Sequence, residues 1–141
     1  MLILAVKKRL KFIRSKKKSK ERKVEVKSLP HHIHLGEFDR ITYVYNKDLV
    51  GNYTKVVNVS YEILIGQKWQ LVSRYDSEHG NLHCHMTVSV KNKSEIALPT
   101  SRVIKKGKPK DWLTWAIKDI EARFFEYRKG FLKRSGIKDL Y

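Results

Sequence analysis

The sequence predicts an α+β domain: an antiparallel sheet of about four strands, packed on one face by one long C-terminal helix and preceded by a basic amphipathic N-terminal arm. Three observations predict it. Residues 55–65 alternate, with Val57, Val59, Tyr61, Ile63 and Ile65 on one side, which is the period of a strand. Shorter runs of the same kind stand on either side of it, separated by turn-forming residues, as in a meander. Near the C-terminus Leu113, Ala116, Ile117, Ile120, Phe124, Tyr127 and Phe131 fall in one stripe at about 100° per residue. Such a stripe must be covered, and a sheet face is the natural partner.

Residues 1–28 form the arm, with twelve Lys or Arg against Glu21 and Glu25. Leu2, Ile3, Val6, Leu10 and Ile13 share one helical face, while Lys7, Lys8, Lys11 and Arg14 lie largely elsewhere. The first turns therefore read as an amphipathic helix with a cationic back. Lys16, Lys17 and Lys18 open a run without an apolar face, which reads as a disordered or RNA-contacting segment. Leu29-Pro30 marks the entry into a single domain over residues 29–141. His31, His32 and His34 follow, then a turn at Gly36. Residues 40–46 are β-branched and aromatic and read as a strand. After the long alternating run, Gly66-Gln67 makes a turn. Residues 68–75 form the next strand, with Trp69, Leu71 and Tyr75 on one face. Residues 82–90 form the last, with Leu82, Cys84, Met86, Val88 and Val90 pointing one way.

Residues 98–110 read as a basic loop carrying Arg102, Lys105, Lys106, Lys108 and Lys110, broken by Pro99, Gly107 and Pro109. Asp111 stands where an N-cap belongs. The helix then runs to about Arg134, through Gly130, because Phe131 continues the stripe. Trp115 and Phe125 fall outside the stripe and read as wrapping the edge of the core.

A chain of 141 residues has the length of one domain, and 41% hydrophobic content suffices for a core. Lys and Arg number 31 against 14 Asp and Glu, a formal charge of +17. A field of that sign attracts phosphate backbones. Thermophile surfaces balance Lys with Glu, and this chain does not, so the excess points to a polyanionic partner, nucleic acid ahead of an anionic membrane. The single cysteine, Cys84, permits no internal disulfide and fits a reducing, cytoplasmic setting. No apolar run approaches the roughly 20 residues that span a bilayer, and the apolar opening is too short for a signal-peptide core.

Most of the remaining chemistry lies in residues 74–86: Arg74, Asp76, Glu78, His79, His83 and His85. A hairpin with Tyr75 opposite Leu82 sets Arg74 against His83 and Val72 against His85. Arg74, His83 and His85 then share the face opposite the core, with Asp76, Glu78 and His79 in the turn. Three chemistries fit. In metal-independent RNA cleavage one histidine takes the 2′-hydroxyl proton, another protonates the leaving oxygen, and Arg74 stabilises the phosphorane. Alternatively His83 and His85, with His79 and Asp76, hold a divalent metal. Thirdly, the same groups contact phosphates and bases without catalysis. Outer-face strand histidines are also commonly no more than solvated polar residues. Cys84 points to the core side, where a thiol is inert packing.

The run Arg74-Tyr75-Asp76-Ser77-Glu78-His79-Gly80, followed by His83-x-His85 and a terminal helix, resembles the small TumE-like toxin–antitoxin family and related prokaryotic proteins, over about residues 55–134. The resemblance implies a ribonuclease-like toxin held by a cognate antitoxin, with Arg74, Asp76, His79, His83 and His85 as its functional residues. Ser77 stands where that family usually has Asn, and the family does not require the basic arm. The sequence His85-Met86-Thr87-Val88 also resembles half of the two-histidine phosphoesterase signature. Its only partner here, His32-Ile33-His34-Leu35, has His where Ser or Thr belongs.

The expectation is therefore a nucleic-acid-binding protein, RNA favoured over DNA because no segment reads as a major-groove helix, with RNA cleavage at the histidine cluster. The alternative is a non-catalytic RNA-, ribosome- or DNA-associated protein. Phosphate contacts fall to Lys7, Lys8, Lys11, Arg14, Lys16, Lys17, Lys18, Arg102, Lys105, Lys106 and Lys108, and Tyr43, Tyr45, Trp69 and Tyr75 are candidates to stack on bases. No resident cofactor is expected, with a divalent metal at His83 and His85 left open.

Overall fold

The computed structural model describes residues 24–98 and 107–139. Its elements are β1 (Glu25–Lys27), β2 (His31–His34), β3 (Asp39–Asp48), β4 (Tyr53–Ile65), β5 (Lys68–Asp76), β6 (His83–Thr87), β7 (Glu95–Ala97) and α1 (Pro109–Arg134). All strand pairs are antiparallel, in the order β1-β3-β4-β5-β6-β7, with β2 also on β3. β1 and β2 lie one after the other along the same side of β3.

The expectation of about four strands is thus corrected to seven. β3 to β6 are the strands legible from alternation and composition. β1, β2 and β7 have three, four and three residues, too few to establish a period. β1 falls at the end of the stretch read as the arm. The expected N-terminal amphipathic helix lies outside the described residues. Among those residues no helix is long and apolar enough to cross a membrane.

The core forms where α1 lies over β4 and β5. Val56, Val59, Tyr61 and Ile63 of β4, with Val72 and Tyr75 of β5, meet Leu113, Ala116, Ile120, Tyr127 and Phe131 of the helix. Two bulges correct the expected faces. Between Val44↔Asn58 and Tyr45↔Val56 the pairing slips by one, so Val57 is an extra residue in β4. An inserted residue reverses the in–out phase beyond it, so Val56, not Val57, is buried. In β5 the same happens at Val72, between Tyr61↔Ser73 and Glu62↔Leu71. Tyr75 therefore faces the core, while Trp69 and Leu71 pair with Leu64 and Glu62 on the opposite face.

The helix begins three residues earlier than expected, with Lys108 and not Asp111 at the N-cap. Pro109 occupies the first helical position, suited to a residue with no N–H to satisfy. Asp111 is not the N-cap but the third residue in, and its Oδ2 accepts the backbone N–H of Lys108 at 3.1 Å. Gly107 makes room for this: its φ is +110°, and a Cβ there would stand 3.3 Å from that oxygen. Trp115 packs edge-on against Tyr75, with ring centroids 5.7 Å apart, as expected of a residue wrapping the core. Phe125 is instead 60% exposed and stacks on Phe124.

A buried ionic tie joins helix to sheet. Arg128 Nη1 donates to both oxygens of Asp39, at 2.8 and 2.7 Å, and Tyr61 donates its hydroxyl to Asp39 Oδ1 at 2.5 Å. Arg128 Nε donates to Asp139 at 3.1 Å. Burial, and then the bond to Asp39, push the Tyr61 hydroxyl above its ordinary pKa, so it remains a donor.

Candidate nucleic-acid interface

The face of the sheet opposite α1 is polar. Residues paired across it include Thr42, Ser60, Arg74, His85 and Ala97, one from each of β3 to β7. Arg74, Asp76, His83 and His85 share this face, as side-chain alternation requires. The register differs from the expected one. Arg74 pairs with His85 and Asp76 with His83, whereas Tyr75 pairs with Cys84 and not with Leu82.

The cause is the turn. β5 continues through Asp76, which therefore sits in the strand and not in the connection. Asp76 Oδ1 accepts the Glu78 N–H at 3.2 Å. Ser77 Oγ accepts the Val56 N–H at 2.9 Å and donates to Val56 O, tying the strand end to β4. Gly80, at φ +85°, lets the chain return, and its N–H donates to Ser77 O.

Arg74 is already engaged. Its Nε and Nη2 donate to the two oxygens of Glu95 at 2.6 and 2.7 Å, a bidentate fork, and its Nη1 donates to Asp76. The Glu95 bond, ahead of the weaker Asp76 one, raises the guanidinium further above its ordinary pKa. The same bond holds the Glu95 carboxyl below its usual range. His85 Nε2 stands 3.8 Å from the Asp76 oxygen that Arg74 contacts. Two carboxylates on one guanidinium leave little positive field at this spot, so a phosphate reaching Arg74 must displace Glu95. Sequence reasoning missed Glu95, which lies 21 residues from Arg74 and carries no signal of its own.

His79 lies exposed in the turn, its ring edge-on to His83 with centroids 6.2 Å apart. His83 Nε2 is buried and finds no hydrogen-bond partner among the described residues. Among the described residues no group of three His, Cys, Asp or Glu is gathered closely enough to hold a metal ion. Cys84 is buried in the core, on the side expected.

Of the expected phosphate-binding cations only Lys108 is described, and it is exposed. Lys7, Lys8, Lys11, Arg14, Lys16, Lys17, Lys18, Arg102, Lys105 and Lys106 lie outside the described residues. Of the four aromatics expected to stack on bases, Tyr75 is excluded. It is 2% exposed, on the core side of the sheet, and its hydroxyl donates to Asp119. Trp69 carries the Arg40 guanidinium 4.1 Å above its ring and has His34 beside it. Tyr43 and Tyr45 are half-buried on the side of α1.

The depressed Glu95 carboxyl gives a pH signature. A group whose pKa falls on folding stabilises the native state above its unfolded value and loses that contribution as pH falls through the folded one. Acidification below about pH 4.5 should therefore loosen β7. Glu95→Gln should remove this pH dependence at a cost of about 1 kcal/mol or less for a partly exposed pair. Amide exchange at Met86 and Ile96, which pair across β6 and β7, is the readout.

No curated protein and no solved structure matches the chain. Residues 19–137 do match one family model, described as a domain of unknown function, and the chain accordingly belongs to the DUF7718 family.

Proposed function

We propose that the protein binds nucleic acid, RNA in preference to duplex DNA, and holds the phosphate backbone with the basic stretches of residues 1–23 and 99–106. The observation that carries this reading is where the charge lies. Eleven of the 31 Lys and Arg fall in residues 1–23, with a single acid, and three in residues 99–106, with none. The body has a modest excess, 17 Lys and Arg against 13 Asp and Glu. A solvated surface would spread its cations, whereas a polyanion grip concentrates them. The two stretches join the body beside opposite margins of the sheet, at β1 and at β7.

The preference for RNA rests on α1. Its outward side mixes Lys118, Arg123 and Lys129 with Glu121 and Glu126, which does not suit a phosphate-lined major groove. RNA recognition needs only unpaired bases and a cationic track.

A second reading, metal-independent RNA cleavage at His83 and His85, is supported by the Asp76–His85 approach and by the His83 nitrogen that finds no partner among the described residues. The TumE-like spacing of these residues supports it as well. Asp76 would orient His85, and the two imidazoles on one face would serve as acid and base. Arg74 would act only after release from Glu95. The protein as a toxin with a cognate antitoxin belongs to this reading.

Incubating the protein with mixed RNA, with and without chelator, separates the two. The His83→Ala/His85→Ala variant should bind within about two-fold of wild type, because the imidazoles supply little of the phosphate grip. Cleavage by wild type that persists in chelator and is absent from the variant would establish the second reading. Intact RNA that shifts on a gel would leave binding alone. Affinity that barely changes between low and moderate salt would sink the phosphate-binding premise.

A further inference from the structure

We propose that the margin of the sheet beside α1 carries a separate contact for the same nucleic acid: a shelf of rings, His31, Tyr43, Tyr45 and Tyr53, that stacks unpaired bases. This rests on the nucleic-acid reading above and adds to it how bases, as distinct from phosphates, are held.

The fold assembles the shelf from three strands. His31 of β2 pairs with Tyr43 of β3, so both point to one side. Tyr45 follows two residues later on the same side, and Tyr53 enters from the start of β4. The His31 ring lies nearly parallel to Tyr43 and Tyr45, with centroids 4.8 and 5.6 Å away and interplanar angles of 17° and 6°. Tyr53 stands 4.6 Å from Tyr45, tilted by 53°. All four are half-buried. They share the side of the sheet that α1 covers, but the helix lies over β4 and β5 and leaves the β2–β3 margin beside it. A ring row that served the core alone would be covered as Tyr61 and Tyr75 are.

Charge indicates the occupant. Lys47 Nζ stands over Tyr53 at 4.7 Å and over Tyr45 at 5.4 Å, on the ring side of β3. The nearby acids are on the other side or engaged. Glu25 pairs with Asp48 and accepts from Asn46 Nδ2 at 2.9 Å. Asp48 accepts the backbone N–H groups of Val50 and Asn52. Val26, the β1 residue paired with Lys47, follows closely on the cation-rich stretch of residues 1–23. A nucleic-acid strand held by that stretch is thereby delivered to the rings. Every base has a face to stack, so the shelf is tolerant of sequence and requires unpaired bases.

The test uses the full chain and two fluorescent probes of equal length and charge, a single-stranded RNA and an abasic oligomer. Wild type should bind the RNA roughly ten-fold or more tighter than the abasic probe, as expected of base–aromatic stacking. The Tyr43→Leu/Tyr45→Leu variant keeps apolar bulk but has no rings. It should bind both probes at the abasic level with an unchanged salt slope, while Tyr43→Phe/Tyr45→Phe should retain the preference. Equal binding of both probes by wild type would overturn the shelf and leave the phosphate grip standing, as would a leucine variant that keeps the preference. Absence of binding to either probe would remove the nucleic-acid reading and the shelf with it.

Discussion

Arg128→Met should destabilise the fold by about 3–5 kcal/mol, the range for breaking a buried ion pair from one side. Asp39 is 2% exposed and receives both bonds from Arg128 Nη1. Without the guanidinium its charge stays in the core, where the Tyr61 hydroxyl answers only one oxygen. A small domain has about 5–15 kcal/mol in total, so the variant should stand near its unfolding limit. Urea denaturation followed by circular dichroism is the measurement. Adding Asp39→Asn should recover part of the loss, since the amide is neutral and its oxygen can still accept from Tyr61. A single-variant cost under about 1 kcal/mol would show that this pair does not hold helix to sheet.

Neutralising the first seven expected phosphate-binding residues, Lys7, Lys8, Lys11, Arg14, Lys16, Lys17 and Lys18, to Gln should weaken single-stranded RNA binding on the order of 10²–10³-fold at low salt. Every cation that truly neutralises a phosphate should, on removal, also flatten the slope of log K against log salt by about 0.7. Arg102, Lys105 and Lys106 changed together should give a smaller effect of the same kind. Titrations over several salt concentrations measure both quantities. Undiminished affinity with an unchanged slope would mean that the arm's charge meets no phosphate. Thermal melting of each variant beside wild type separates a loss of binding from a loss of folding.

The legible parts of the fold are those whose residues repeat. β4 and α1 carry enough apolar positions to show their periods, so sheet, helix and covered face follow from spacing. Bulges are not legible, because one inserted residue leaves composition unchanged while reversing every face beyond it. That is why alternation favours Val57 where Val56 is buried, and why Trp69 and Leu71 read as sharing the face of Tyr75 although only Tyr75 lies in the core. β1, β2 and β7 are too short to show a period.

In the candidate site, the shared face of Arg74, His83 and His85 follows from alternation, which survives an even shift in register. The register itself does not follow, because Asp76 reads equally well as turn or strand until Ser77 and Val56 are seen to bond. Glu95 and the pairing of Asp39 with Arg128 are invisible for a different reason. They join residues 21 and 89 positions apart, and nothing local marks either partner.

That separation of 89 residues also sets an order of assembly. β3, β4, β5 and β6 each pair with the next strand along the chain, so their hairpins close over short connections. Docking of α1 onto β4 and β5, with the Arg128 tie back to Asp39 of β3, closes a far longer loop and is the slower event. A chain emerging from the ribosome can therefore complete its meander while Val59, Tyr61, Ile63 and Tyr75 still face solvent, a state prone to association. Their shelter arrives only once Pro109–Arg134 has been synthesised, after every strand of the meander, so that helix is also the segment that keeps nascent copies apart.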